Sequence, residues 1–373
     1  MGNILIVNKI VLAKPVINTP KTINLLKKVL KSGFFNEGTQ TRELEKKIAK
    51  ILKVKYCLST TSGTTALFLA LKALRIKNND EVIVPNITFP ATANAVSMAG
   101  GKPIFVDVNP LNILIDEKAL LKKISKKTKF VIPVHVSGRG NNIERIIKIC
   151  KKRSIKVVED AAEAFGSKIN GRNLGTFGEV GCFSFAPNKI ITTGQGGLVV
   201  TNNKKIYKKL KIFKDQGRVG PTTGGEDNYV SLGFNLKFTN LQAALGLSQI
   251  RELKWRIKKL KKIHNFYLKK IKQNDNFKII NFDLYKGELP LWTDVWCEDR
   301  NKLVKFLETK NIFCRYYWKP LNMTRPYKTS FKNLNNSKKL IGKLMWLPSS
   351  LDMTYKQQKK ICKLINLFYQ KNE

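Results

Sequence analysis

The sequence predicts an α/β fold with a mostly parallel central sheet flanked by helices, followed by a smaller C-terminal α+β unit. Three observations support this. Short apolar segments of the kind found in fully buried strands alternate with helical segments from about residue 40. The pattern changes after about residue 250, and 373 residues exceed a single core of about 200 to 250 residues. The expected division is 1–250 for the larger unit and 251–373 for the smaller.

Taken in order, residues 42–52 carry apolar positions at helix period, 55–58 is short and extended, and 63–73 is helical again. Strand-like runs at 81–84, 103–106, 130–134 and 156–159 are separated by helical segments at 91–98, 117–124 and 143–152. Two further β-rich pieces, 181–185 and 197–201, precede a helix at 204–215. The Gly- and Thr-rich stretch 217–227 reads as a loop. One long helical stretch from 240 to 272 then leads to the second unit. That unit has extended segments at 277–280, 291–295 and 312–317, with helices at 299–309 and 356–370.

Composition narrows the function. There are 69 basic and 26 acidic residues, for a net charge of +43. Only 12 of the 69 are arginine, the residue suited to bidentate phosphate and base recognition. The basic residues are scattered, and the densest run, 251–263, repeats apolar residues at helical spacing beneath a lysine face. A solvated surface is therefore expected, without nucleic-acid or membrane binding, although such a field attracts a nucleotide diphosphate. Cysteines at 57, 150, 182, 297, 314 and 362 form no C-x-x-C pair, and there are two histidines, so no zinc or disulfide framework is expected. No secretory signal or spanning run is read, which makes the cytoplasm the expected compartment.

Three places carry candidate chemistry. Ser59-Thr60-Thr61-Ser62-Gly63-Thr64-Thr65 lies between a strand and a helix, where free N–H groups and the helix dipole favour an anion; an ordinary N-cap has the same residues. Asp160, in Glu159-Asp160-Ala161-Ala162, ends a Val/Ile strand, where α/β sheets bind ligands. It could serve a metal, a ribose or a protonated ring nitrogen, or be a solvated strand-end acid. Lys189, one of 57 lysines, sits between a strand and a Gly-rich loop; burial of an amine there favours its neutral, nucleophilic form.

In order, the chain shows a T-S-G-T turn, then T-F, then V-E-D-A-A, S-F-x-x-N-K-I-I-T-T-G-x-G-G and G-F-N-L-K-F-T-N-L-Q-A-A-L-G. This set resembles the DegT/DnrJ/StrS aminotransferases, fold-type I enzymes that use pyridoxal 5'-phosphate (PLP) to aminate nucleotide-linked keto-sugars. The resemblance implies that Lys189 binds the cofactor covalently and moves the substrate proton. It implies that Asp160 partners the pyridine nitrogen and that Ser62, Gly63, Thr64 and Ser184 cradle the phosphate. Phe89 is similar to the aromatic residue stacked on the cofactor ring. Asn235 resembles a residue reaching the phosphate of a neighbouring subunit, which implies a homodimer with shared active sites.

Some positions depart from the family pattern. Glu163, another cofactor-binding candidate, stands where Gln is usual, and a carboxylate facing the cofactor's phenolic oxygen is repulsive unless protonated or turned aside. Ala186-Pro187 and Asn188 lie near the expected sugar site. Tyr317 is carried over as a substrate-facing residue, and His135 is read as a structural, hydrogen-bonded histidine. The resemblance implies a ping-pong reaction through pyridoxamine phosphate. It also implies L-glutamate as the donor and a 4-keto-6-deoxy nucleotide sugar, as in perosamine-type branches, as the acceptor. Amination at C3, or a PLP-binding sensor without turnover, are the alternatives; a dehydratase of the same family would carry His in place of Lys189.

Overall fold

The computed structural model describes residues 9–140, 142–220 and 226–370. Seven strands form the main sheet: Tyr56–Thr60 (β1), Glu81–Pro85 (β2), Lys102–Val106 (β3), Thr128–Val131 (β4), Lys156–Asp160 (β5), Val180–Ser184 (β6) and Gly197–Thr201 (β7). Their order across the sheet is β1-β7-β6-β5-β4-β2-β3. Only β7 is reversed; it pairs antiparallel with β1 and β6, and the other pairs are parallel. The mostly parallel α/β sheet is thus as the sequence predicts. Parallel neighbours require crossovers, and the helices between them cover both faces.

That topology decides where chemistry can occur. The chain leaves β1, β2, β5 and β6 at the same edge of the sheet. The loops there carry Ser62–Thr64, Phe89, Asp160–Glu163 and Ser184–Lys189. The carboxyl edge of a parallel sheet is the usual ligand edge, because strand ends and helix N-termini converge on it. Behind it lies an apolar core in which Phe165 meets Phe183 and Phe185 edge to face, with ring centroids 5.9 and 5.7 Å apart.

A second sheet holds Phe277–Ile279 (β8), Thr293–Cys297 (β9), Arg315–Tyr316 (β10) and Leu344–Leu347 (β11), in the antiparallel order β8-β9-β11-β10. Helices Leu253–Lys270, Arg300–Glu308 and Tyr355–Gln370 bury Ile263, Leu303, Leu307, Ile361 and Ile365 against it. Ile10 joins this second core. Its N–H donates to the Asn311 carbonyl at 2.9 Å, and its carbonyl accepts from the Phe313 N–H at 2.8 Å. Ile10 therefore packs with the smaller unit, whereas Leu12, two residues on, belongs to the main core.

Two further differences from the sequence reading have clear causes. Helix Thr19–Ser32, not foreseen, is capped by Asn18 and packs on helix Asn240–Ile250, with the Thr22 hydroxyl 2.9 Å from that of Ser248. The stretch expected as one helix from 240 to 272 is two, Asn240–Ile250 and Leu253–Lys270, broken at Arg251 and Glu252. The bend lets both helices grip the loop that follows β6. Gln249 clasps the Thr192 peptide, accepting from its N–H at 3.2 Å and donating to its carbonyl at 2.7 Å. Buried Arg256 donates to the carbonyls of Ile190 at 3.1 Å and Val16 at 2.6 Å.

No helix among the described residues is long and apolar enough to cross a membrane. Replacing Phe183 by Ala should empty a site with no solvent access and leave Phe165 without one of its two edge-on partners. The expected cost is about 3–5 kcal/mol, seen as a melting temperature lower by on the order of 10 °C in thermal denaturation.

Candidate active site

Helix Gly63–Ala73 starts the site. Ser62 caps it through a reciprocal box: its hydroxyl accepts from the Thr65 N–H at 3.2 Å, and the Thr65 hydroxyl accepts from the Ser62 N–H at 2.9 Å. The box orders the first turn and leaves the leading N–H groups of Gly63 and Thr64 at the positive end of the helix dipole. A Cβ on Gly63 would stand 2.9 Å from the Ser184 Cβ, so glycine is what lets the end of β6 close on this turn. Ser62, Gly63, Thr64 and Ser184 are brought together, as the sequence reading expects of an anion cradle.

Neighbouring acids on β5 take opposite faces, because side chains alternate along a strand. Glu159 points into the core. It accepts from the N–H groups of Gly175 at 2.8 Å, Phe177 at 2.5 Å and Gly178 at 2.7 Å, and lies 2.8 Å from His135 Nε2. His135 Nδ1 is 3.2 Å from the Arg139 carbonyl, so this buried histidine has the hydrogen-bonded structural role read from the sequence. Asp160 points to the ligand edge. Its Oδ2 accepts from the Thr92 hydroxyl at 2.8 Å and its Oδ1 from the Ala162 N–H at 3.2 Å.

The turn after Asp160 swings Glu163 beneath Lys189. Lys189 Nζ donates to Glu163 Oε1 at 3.2 Å, and Glu163 Oε2 accepts from the Ser137 N–H at 2.8 Å. Lys189 is held by a backbone turn to Ala186 and by buried Ile190 and Ile191 behind it. Its ammonium lies 5.1 Å from the centre of the Trp292 ring. Glu163 is therefore turned towards the lysine. Burial raises its carboxyl above the ordinary range, and the Lys189 charge opposes that rise. Burial likewise raises Asp160, against the Thr92 and Ala162 hydrogen bonds and the nearby Lys189 charge.

Other expected residues are placed differently. Phe89 is about half exposed at the rim, tilted towards Trp318 with ring centroids 6.2 Å apart. Asn188 is half-buried beside Lys189. Asn235 is exposed on a strand-like bridge to Asp215. Tyr317, carried over as substrate-facing, is instead buried. It stacks on Trp346 at 4.1 Å, and its hydroxyl accepts from Arg139 at 3.2 Å and donates to Asp294, which fills the role a substrate contact would take. Sequence reasoning missed Thr92, Ser137, Arg139, Trp292 and Asp294. The first lies three residues after Phe89 and could have been found from that spacing; the others carry no local signal.

Free N–H groups at a helix N-terminus, a buried acid at the strand end, a lysine near it and an aromatic at the rim suit a phosphorylated pyridine aldehyde. Asp160 is a buried carboxylate whose nearest cation is shared with Glu163, so a protonated ring nitrogen suits it.

Comparison with known proteins agrees. Residues 17–366 match the DegT/DnrJ/EryC1/StrS aminotransferase family, and the chain belongs to that family. It is 34% identical over 342 residues to GDP-perosamine synthase of Escherichia coli O157:H7, covering 90% of this chain and 91% of that one. It is 32% identical over 349 residues to GDP-perosamine synthase of Vibrio cholerae, covering 90% and 92%. Helicobacter pylori PseC, an aminotransferase involved in the biosynthesis of pseudoaminic acid, superposes with a TM-score of 0.91 at 25% identity over 97% of this chain and all of its own. The protein is a PLP-dependent sugar aminotransferase.

The raised Asp160 carboxyl gives a signed expectation. A folded-state value above the ordinary 3.8 means that the folded protein binds the proton more tightly, so this group's contribution to stability is lost as pH rises through the folded value. In the cofactor-free protein, Asp160→Asn should therefore raise the melting temperature at neutral pH. The gain should shrink towards about pH 4, and PLP-dependent turnover should be lost. Thermal scans across pH check this, and a variant less stable than wild type at neutral pH would contradict it.

Proposed function

We propose that this protein transfers the amino group of L-glutamate to C4 of a nucleotide-linked 4-keto-6-deoxy sugar. The observation that carries the reading is the convergence of Lys189, Asp160 and Glu163 on one edge of the sheet, beside the Ser62–Thr64 cradle. The similarity to two GDP-perosamine synthases over about nine-tenths of each chain favours a sugar of this class.

PLP, when bound, supplies an electron sink that stabilises negative charge on the carbon bearing nitrogen. The Lys189 amine would bind it covalently, and once released would carry the proton from that carbon to the carbon on the other side of the nitrogen. Asp160 would hold the ring nitrogen in its charged form. The N–H groups after Ser62 and the Ser184 hydroxyl would hold the phosphate, so that Lys189 does not also have to anchor the group. Glu163 would keep the Lys189 nitrogen aimed between reaction steps. Glutamate leaves as 2-oxoglutarate in the first half, and the keto-sugar leaves as the amino sugar in the second.

The active unit in this reading is a homodimer in which Asn235 of each copy reaches the phosphate cradle of the other. Exposed apolar residues, Phe34, Phe35, Val230 and Leu232, suit such an interface. The surplus of lysine would draw in the nucleotide diphosphate.

Two measurements test the reading. Borohydride reduction of the protein with PLP should fix the cofactor on the peptide containing Lys189, and Lys189→Ala should lose transaminase activity by at least about a thousandfold. Protein loaded with pyridoxamine phosphate should regain the visible PLP band with a GDP-, dTDP- or UDP-linked 4-keto-6-deoxy sugar. A response to 3-keto sugars alone would move the reaction to C3, and no response to glutamate would leave a cofactor-binding sensor. For the dimer, Asn235→Ala should weaken PLP binding by about tenfold at unchanged oligomer mass, measured by spectroscopic titration and light scattering.

A further inference from the structure

The larger unit holds Lys189 and Glu163, yet the contacts that fix Glu163 lead into the smaller sheet. Ser137, whose N–H meets Glu163, has φ +53°, a left-handed conformation that is unfavourable for a residue with a Cβ. Gly138 follows at φ +97°, and a Cβ there would lie 2.1 Å from the Leu289 carbonyl oxygen. A strained backbone persists only where its surroundings over-determine it.

The surroundings here are a closed polar network. The Ser137 hydroxyl donates to Asp294 Oδ1 at 2.8 Å and accepts from Trp346 Nε1 at 3.0 Å. Arg139 Nη1 donates to Asp294 Oδ2 at 2.6 Å, and Arg139 Nε donates to the Asn112 carbonyl at 2.8 Å. The Tyr317 hydroxyl completes it, between Arg139 and Asp294. Arg139 and Asp294 have essentially no solvent exposure. Asp294 on β9, Trp346 on β11 and Tyr317 belong with the smaller sheet, whereas Ser137 and Arg139 follow β4 of the larger.

A buried ion pair is poor evidence of stability, since apolar residues of similar volume often serve as well or better. What this pair does is hold an unfavourable turn that aims the Ser137 N–H at Glu163, while the Ser137 carbonyl accepts from the Leu291 N–H at 2.9 Å on the side of the smaller unit. We propose that Arg139 and Asp294 are positioning residues for Lys189: they lock Ser137 in its left-handed turn, Ser137 orients Glu163, and Glu163 fixes the lysine nitrogen. The smaller unit thereby sets the reactive amine of the larger one. This rests on Lys189 being the cofactor-bearing lysine.

The test uses Asp294→Asn, which removes the charge at constant shape. It also uses the double variant Arg139→Met/Asp294→Leu, which removes the pair without stranding a buried charge and so guards against a misfolded single variant. In cofactor-free protein, reductive methylation read by peptide mass should label Lys189 about fivefold faster in both variants. Lys214, buried and paired with Glu37 away from this network, is the internal reference and should not change. With PLP bound, bleaching of the visible band by glutamate in a single turnover should slow about tenfold, with the half-saturating glutamate concentration within about twofold of wild type. Wild-type labelling and bleaching in the folded double variant would overturn the proposal, as would equal acceleration at Lys189 and Lys214. Should wild-type protein itself fail to bleach with glutamate, the transaminase reading falls, and the labelling arm still decides whether the pair positions the lysine.

Discussion

Two carboxylates and one ammonium share a space from which water is largely excluded, and the site is organised around that imbalance. Lys189 meets Glu163 directly and influences Asp160 only through space. An unpaired buried carboxylate is unfavourable, so the protein surrounds Asp160 with a hydroxyl and an N–H, and that partial solution leaves room for a cationic ligand group. The parallel sheet makes the arrangement possible, because it delivers the ends of β1, β2, β5 and β6 to one edge. Everything beyond, including the bend between helices Asn240–Ile250 and Leu253–Lys270, serves to keep the lysine loop at that edge.

The division of labour along β5 shows how little sequence separates structure from chemistry. Glu159 and Asp160 are adjacent acids, yet strand alternation sends one to a nest of backbone N–H groups and a histidine and the other to the ligand edge. Three backbone N–H groups and the His135 ring occupy both oxygens of Glu159 and leave it chemically idle. Asp160 has two, and is raised by its burial. Satisfaction, more than residue type, separates the two roles.

Much of this was legible in the sequence. The sheet could be read because its strands are short continuous apolar runs, and the carboxyl edge follows once those runs are parallel. Lys189, Asp160 and the Ser62 turn stood out by their order and not by composition. The rest was hidden for physical reasons. Ser137, Arg139 and Asp294 meet across more than 150 residues of chain, as the 155-residue separation of the ion pair shows, and long-range pairing leaves no periodicity to read. The family resemblance makes Tyr317 a substrate-facing residue, but its hydroxyl is consumed by Arg139 and Asp294. The break at Arg251 and Glu252 was invisible because apolar spacing continues through it; what breaks the helix is the demand that Gln249 and Arg256 both reach back to one loop.

That reach has a consequence for how the protein is made. By the time residue 201 has left the ribosome, the nascent chain already contains the phosphate turn, both acids and the lysine. It does not yet contain Gln249 or Arg256, which hold the lysine loop, nor Asp294, which closes the network behind Glu163. The candidate site groups are therefore synthesised early and assembled late, and a product shortened at residue 201, with the Ser62 turn, both acids and the lysine in place, would still lack the restraints that give its lysine a fixed address.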